Sequence, residues 1–156
     1  MPYYSVAGSQ ATISSTYKTA VRVNASGATK RGKIMEFTLG AASNPNATDT
    51  YVQWDISRIT ATGAGADTAA TPAPTDPADG AAVSVAGVNA TAEASAITAN
   101  SSMWNDGINQ RATVRWTAAQ ESQALIFPAL ASNGLILRGQ SSTFTTAVTA
   151  HTLFQE

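Results

Sequence analysis

Few residues in this sequence could carry out catalysis. His151 is the only histidine and the chain contains no cysteine, so a Cys–His nucleophile, thiolate metal ligands and disulfides are all missing. His151 lies in a run of strand-forming residues, 149–152, and no nucleophile-elbow motif elsewhere supplies a reactive serine. We therefore interpret His151 as a structural or interface residue and predict that the protein is not an enzyme.

One pair of carboxylates lies in a proline-rich stretch. Asp76 and Asp79 are close enough in sequence to share a calcium ion with backbone carbonyls, but the regularly spaced acidic residues of a calcium-binding loop are missing. Aspartates beside proline and glycine are typical of turns. The Gly-Ala-Gly-Ala stretch at 63–66 precedes a loop-like segment, so it does not resemble a phosphate-binding loop. The sequence predicts no metal and no cofactor.

Tryptophans are the remaining candidates for a small-molecule site. Trp54, Trp104 and Trp116 could form a sugar-stacking platform if their rings were exposed. Trp54 and Trp116 lie on the apolar phase of alternating stretches, which predicts core positions for both. Trp104 lies in a polar, loop-like stretch close to Asp106. Trp104 and Asp106 are therefore the candidate contact residues of a loop.

Basic residues are concentrated in one part of the chain, which contains no Asp or Glu before Glu36. Five of the nine basic residues lie in this part, namely Lys18, Arg22, Lys30, Arg31 and Lys33. This basic stretch predicts a surface that binds an acidic partner, or a solvated hairpin with its tip at 30–33. Aromatic residues hardly alternate with the basic ones, so an acidic protein partner is favoured over nucleic acid.

The composition indicates a surface with few charges. Charged residues make up 12% of the chain and the net charge is −1, while Ala, Thr and Ser fill 67 of the 156 positions. A typical globular domain has about 25% charged residues. Faces with few charges lose little hydration on burial, so we predict a homo-oligomer, with a secreted or abundant neutral-surface β protein as the alternative.

Neither a membrane nor a secretory pathway is indicated. The apolar runs are far shorter than the roughly 18 residues that span a bilayer. Residues 1–5 lack the charged-then-apolar layout of a secretory signal. The near-neutral net charge also gives no bulk attraction to an anionic membrane. We expect no membrane association.

The elements that must position these residues are β-strands. Blocks rich in Val, Ile, Thr and aromatic residues alternate apolar and polar side chains, and turn residues separate them. The blocks are 16–23, 33–39, 51–60, 109–117, 124–127, 135–138 and 144–154. This pattern predicts one all-β domain over 1–156, an antiparallel, jelly-roll-like β-sandwich of about eight strands. Its inward phase predicts the core residues Val52, Trp54, Ile56, Val114, Trp116, Phe37, Leu39, Leu125, Phe127, Ile136 and Leu153.

Three stretches depart from this alternation. Residues 1–12 are interpreted as an N-terminal arm that could lie on a neighbouring subunit. Residues 61–88 form a long Pro/Ala-rich loop or, alternatively, contain a short helix capped by Asp76. Regular alternation would turn Ile59 to the polar face, which predicts a β-bulge near Ser57 or Arg58.

Taken together, these features resemble the capsid decoration (cement, or head-stabilising) proteins of tailed bacteriophages. The stretches that carry the resemblance are 35–40, 71–79 and 109–116, together with the Ala/Thr/Ser bias and low charge. The resemblance implies a trimeric jelly roll or related sandwich, made in the host cytoplasm, that bridges major capsid proteins on the virion surface. It assigns no role to any single residue. The alternative is a carbohydrate- or receptor-binding β-sandwich of a phage fibre or spike.

Overall fold

The computed structural model describes residues 1–62 and 67–156, with only the backbone for 98–100. Within these residues the chain forms strands and one short 3-10 turn, Glu121–Gln123, without any α-helix. The strands are β1 (Tyr3–Ile13), β2 (Lys18–Asn24), β3 (Gly32–Ala41), β4 (Tyr51–Ala61), β5 (Thr68–Ala70), β6 (Ala73–Pro74), β7 (Val85–Val88), β8 (Ala96–Asn109), β9 (Thr113–Thr117), β10 (Leu125–Phe127), β11 (Gly134–Gln140) and β12 (Thr146–Gln155). The described part of the chain thus contains no helix long and apolar enough to cross a membrane.

The strands form two antiparallel sheets that pack face to face. The first sheet has the order β10-β3-β12-β1-β6, and β9 also pairs with β3. The second sheet has the order β5-β7-β2-β11-β4-β8. The predicted all-β antiparallel sandwich is therefore confirmed.

Eight of the strands follow the jelly-roll order. Each strand of the first half pairs with one of the second half, in the pairs β1–β12, β2–β11, β3–β9 and β4–β8. β12 also pairs with β3, and β11 with β4, which gives the sheets β1-β12-β3-β9 and β2-β11-β4-β8. This is the strand order of a jelly roll, a two-sheet fold of about eight strands. The other strands in the described residues, β5, β6, β7 and β10, are short additions to these sheets.

The core lies between the two sheets and contains most of the predicted residues. Trp54 and Ile56 of β4 and Phe37 and Leu39 of β3 have no exposed surface. Burying side chains of this size contributes about 1.5–3 kcal/mol each. The predicted core residues that are buried between the sheets are Val52, Trp54, Ile56, Phe37, Leu39 and Phe127. Ile136 is also buried, but it pairs with Arg22 and Ser57 on the outer face of the second sheet, so its predicted place in this core is wrong.

Four predicted core residues occupy less buried positions. Val114, Trp116 and Leu125 pack against the edge of the core and are half-buried. Leu153 does not face the core, so that prediction is wrong. The inward phase of β12 instead carries the residues Val148, Ala150, Thr152 and Phe154. Because the polar Thr152 interrupts the apolar pattern of this phase, the sequence analysis chose the opposite phase, which carries Leu153.

Residues 1–12 are not an arm. β1 lies inside the first sheet between β12 and β6, and Tyr4 and Val6 are each 3% exposed. Tyr4 stacks on Phe154 with ring centroids 5.6 Å apart. The outward residues of β1 are small or polar, which gave the segment its arm-like composition.

The 61–88 segment contains neither one continuous loop nor a helix in its described part. It contributes β5, β6 and β7. Asp76 forms a turn instead of capping a helix, because its Oδ1 accepts a hydrogen bond from Ala78 N at 2.9 Å and its carbonyl accepts one from Asp79 N at 3.0 Å. Residues 63–66, where a phosphate loop was considered, lie outside the described residues.

The predicted bulge near Ser57 or Arg58 corresponds to an irregular pairing of β4 with β8 that begins at Ser57, but β4 itself keeps its alternation. β4 pairs with β11 in unbroken register, and the irregular pairing that begins at Ser57 places the extra residues in β8. Ile59 therefore stays on the outward phase, yet it is only 1% exposed. That face of the second sheet is covered here, since residues 89–94 cross it beside Ile136. A covered outer face lets Ile59 be buried without a bulge in β4 itself.

Candidate functional site

The predicted basic stretch does not form one surface. Arg22 lies on the outer face of the second sheet, where its Nε donates to Asp67 Oδ2 at 2.6 Å. The two side chains are only 12% and 15% exposed. Gly87 leaves room for this pair, because a Cβ there would lie 2.1 Å from Asp67 Oδ2. Arg22 therefore fixes Asp67 beside β7 and is not available to a partner.

Two more residues of the stretch do not contribute to such a surface, one because it is paired and one because it is distant. Lys33 donates a hydrogen bond to Glu121, and this bond lowers the pKa of the Glu121 carboxyl. Lys18 begins β2, whereas Lys30 follows the end of that strand. At about 3.3 Å per residue, the length of β2 puts Lys18 roughly 20 Å from the tip. The basic stretch thus reduces to Lys30 and Arg31 at one end of the sandwich.

Arg58 joins these two residues from a distant part of the sequence. Arg58 lies near the end of β4, and Arg31 and Arg58 line the same shallow cavity of about 300 Å³. Ile126, Pro128 and Asn133 complete much of its wall. Lys30, Arg31 and Arg58, here called the cationic end, form no ion pair with the carboxylates of the described residues. Nothing local in the sequence connects Arg58 to the other two.

Trp104 is not a loop residue. It lies in β8 opposite Ile56, and its ring meets Phe37 edge-on with centroids 5.4 Å apart. Trp116 stacks on the same Phe37 at 5.0 Å. β8 is the edge strand of its sheet, which explains why its sequence is polar enough to look like a loop. Asp106 is exposed and accepts a hydrogen bond from Gly107 N at 2.8 Å.

A cavity of the described residues lies on the outer face of the second sheet, at the end opposite the cationic end. It measures about 500 Å³ and is formed mainly by the start of β4 and the end of β8. Tyr51, 52% exposed, lies next to Gly107 there. The lining residues, here called the Tyr51 cleft, are Asp49, Thr50, Tyr51, Gln53, Asp106, Gly107 and Asn109. Of the two candidate loop contacts, Trp104 and Asp106, the structure places Asp106 in this cavity.

A buried carboxylate, Asp55, lies next to this cleft and is bound by several hydrogen-bond donors. Asp55 is 3% exposed and accepts hydrogen bonds from Arg138 Nε at 2.7 Å and Ser57 Oγ at 2.6 Å. Ser102 and Asn105 also donate to it. Burial opposes ionisation, but the hydrogen bonds from Ser102, Ser57, Arg138 and Asn105 outweigh it and hold the pKa of Asp55 below its usual value.

The outer face of the first sheet carries almost no charge. Over its central part the residues, read from the pairing register, are Ser5, Ala7, Ser9, Glu36, Thr38, Gly40, Thr113, Arg115, Thr117, Thr149, His151 and Leu153. Arg115 donates to Glu36 at 2.6 Å, so the ionised residues of this face neutralise each other. His151 Nε2 lies 3.0 Å from Ser5 Oγ. We call this surface the neutral face.

The Ser5–His151 pair lacks the surroundings of a catalytic site. Glu36, the carboxylate of this face, is bound to Arg115 instead of orienting the imidazole. His151 also lines a shallow depression of about 380 Å³ on this face, together with Ser9, Thr38 and Thr149. Among residues 1–62 and 67–156, no group of three His, Asp or Glu side chains could hold a metal ion.

No family model matches the chain, and no curated protein or solved structure matches it either. Function must therefore be inferred from the surfaces themselves. Three stand out: the neutral face, the cationic end and the Tyr51 cleft. The neutral face suits contact with another protein because its burial removes few charges from water. The cationic end suits such contact because it attracts acidic groups. The third is concave and combines an aromatic ring with polar groups.

Proposed function

We propose that the protein is a non-enzymatic structural subunit of a tailed-phage particle, which decorates and stabilises the capsid as a homo-oligomer, preferably a trimer. Its partners are further copies of itself and the major capsid protein. It is made in the host cytoplasm and resides on the capsid surface. The observation that carries this proposal is the neutral face, supported by the cationic end.

The neutral face suits contact between copies. Half of its central residues are serines and threonines, which are small and uncharged, and Glu36 and Arg115 already satisfy each other. Burying such a surface removes few charges from water, and the desolvation of charged groups is one of the costs of forming an interface. When such a face meets a different part of the same chain, the subunits close into a ring if the rotation between neighbours closes.

The cationic end suits attachment to a larger, acidic partner. Arg31 and Arg58 sit beside the apolar side chains of Ile126 and Pro128, so an acidic segment would find charge and apolar surface together. Each exposed ion pair contributes only about 0–1 kcal/mol. Several copies in one oligomer add these small terms through avidity. The attachment therefore depends on the oligomer as well as on the arginines.

The test is binding to purified phage heads, measured by co-sedimentation. The variant is Lys30→Glu/Arg31→Glu/Arg58→Glu; Lys33 is left intact because it pairs with Glu121. The matched control is Lys18→Glu, a charge reversal at the opposite end. We expect the triple variant to leave the heads while its oligomer mass stays unchanged, and Lys18→Glu to bind as wild type.

Salt gives a second, independent readout. Raising ionic strength should weaken binding to heads but leave the oligomer intact, because apolar contacts are little screened. Normal occupancy of the triple variant on heads would show that the cationic end is only solvated surface. The same conclusion would follow if the triple variant and Lys18→Glu lost binding equally.

A further inference from the structure

We propose that the Tyr51 cleft is a binding site for a neutral saccharide, with one pyranose ring stacked on Tyr51. The inference is independent of capsid decoration, because the cleft lies at the end of the sandwich away from the cationic end and does not include the neutral face. It also moves the sugar-contact role predicted for Trp104 to a different aromatic residue.

The first argument is the exposure and support of the tyrosine ring. Tyr51 is 52% exposed, although it lies in a regular strand. Gly107, on the neighbouring strand, lies close to one side of the ring: a Cβ at Gly107 would be 3.1 Å from Tyr51 Cδ2. The ring is thus supported by β8 on one side and open on the other. A fixed aromatic face with a polar tip favours a ligand that is apolar on its face and polar at its rim.

The second argument is the set of polar groups around the ring. Asp106 uses Oδ1 to accept from Gly107 N, which leaves Oδ2 to accept from a ligand. Asn109 Oδ1 accepts from Arg111 N, which leaves its Nδ2 to donate to a ligand. Sugar hydroxyls both donate and accept, and a carboxylate beside an amide satisfies both roles. Polar groups around an apolar surface are the usual composition of a ligand site.

The third argument is that part of this polar set is held in place. Gln53 Nε2 donates to Asn105 Oδ1 at 2.5 Å, which leaves Gln53 Oε1 next to Gly107 at the cleft. Asn105 is held in turn by Asp55, to which its Nδ2 donates at 3.2 Å. A chain of hydrogen bonds therefore runs from a buried carboxylate to the cleft. Groups that are fixed before binding lose less entropy when a ligand arrives.

The charge of the cleft selects the class of sugar. Its ionised residues are Asp49 and Asp106. Arg111 neutralises Asp49, with Nε 3.1 Å from Oδ1, so Asp106 leaves a net negative charge. Uronic and sialic acids would be repelled, since like charges that approach in a partly desolvated site disfavour binding. Neutral hexoses and N-acetylhexosamines carry no such penalty.

The experiment is NMR titration of the full chain with D-glucose, D-galactose, D-mannose and N-acetyl-D-glucosamine, followed by backbone amide shifts. We expect at least one of these sugars to shift the amides of Tyr51, Gly107 and Asn109, while glucuronic acid does not. Tyr51→Ala should weaken that binding roughly tenfold or more. Asp106→Asn, which keeps the size of the side chain, should weaken it less.

The matched control is Tyr3→Ala, since Tyr3 is a 36% exposed tyrosine at the opposite end of the molecule. It should bind the sugar as wild type does. Backbone spectra of all variants check that the fold is retained. The proposal is overturned if none of the four sugars shifts the cleft amides. It is also overturned if Tyr51→Ala and Tyr3→Ala bind equally, or if glucuronic acid binds as well as glucose.

Discussion

Replacing Asp55 with asparagine should destabilise the protein far more than the same change at an exposed ion pair. Asp55 and its partner Arg138 have side chains only 4% and 17% exposed. The Asp55→Asn variant leaves the guanidinium of Arg138 without its anion, and it puts an amide donor among groups that donate. Removing one partner of a buried ion pair costs about 3–5 kcal/mol. Arg138 keeps its position 4.6 Å above the Tyr17 ring, so we expect the lower part of that range, about 3 kcal/mol.

The matched control is Asp49→Asn, which breaks an Asp–Arg pair whose side chains are 74% and 50% exposed. Such a pair contributes about 0–1 kcal/mol. In urea unfolding at neutral pH, with a slope of about 2 kcal/mol per M, Asp55→Asn should lower the midpoint by about 1.5 M. Asp49→Asn should lower it by less than about 0.5 M. Equal midpoints for the two variants would refute the reasoning.

The difference in stability between wild type and Asp55→Asn should also depend on pH, and the pKa of Asp55 determines in which direction. The folded protein lowers the pKa of Asp55, and the unfolded chain titrates at about 3.9. The stabilisation from ionised Asp55 is therefore fully present above that value and is lost as pH falls through the lower folded pKa. The midpoint difference between wild type and Asp55→Asn should be constant near neutral pH and should shrink below about pH 4. A difference that grows on acidification would contradict this assignment.

Two further predictions concern packing. Trp54→Ala should lower the free energy of unfolding by about 3–5 kcal/mol, because Trp54 is fully buried. Trp116→Ala should lower it clearly less, because Trp116 is half-buried. Equal losses for the two variants in chemical denaturation would contradict this difference in burial. Gly134→Ala should cost about 1–3 kcal/mol, because its Cβ would lie 2.3 Å from the Val23 carbonyl oxygen. A Cβ at Gly27 would have no atom within 4 Å, so Gly27→Ala should change stability by less than about 0.5 kcal/mol. Equal shifts in melting temperature for the two glycine variants would contradict this difference.

The alternating pattern predicted the strands of the central blocks and much of the core, but it missed β1, the short strands β5–β7 and most of β8. Val52, Trp54 and Ile56 alternate with polar residues, and burial of one face of β4 follows directly. Leu153 was misplaced because the true inward phase of β12 contains Thr152. Ile59 was misread because single-strand alternation does not reveal that residues 89–94 cover the outer face.

The candidate sites depended on pairings that the sequence does not encode locally. Arg58 joins Arg31 only because the end of β4 lies beside β10 and the loop before β3. Tyr51 and Gly107 meet through the register of β4 and β8, which are separated by a long connection. In the basic stretch, Arg22 and Lys33 looked available until Asp67 and Glu121, both distant in sequence, were seen to pair with them.

The most direct test of the central proposal is the mass of the purified protein by multi-angle light scattering at high micromolar concentration. A subunit whose neutral face is buried between copies should give a closed homo-oligomer, with a mass of about three times the 16.0 kDa of one chain. That mass should not change when the ionic strength is raised. A mass of 16.0 kDa at every concentration, together with no binding to phage heads, would contradict the proposed assembly function.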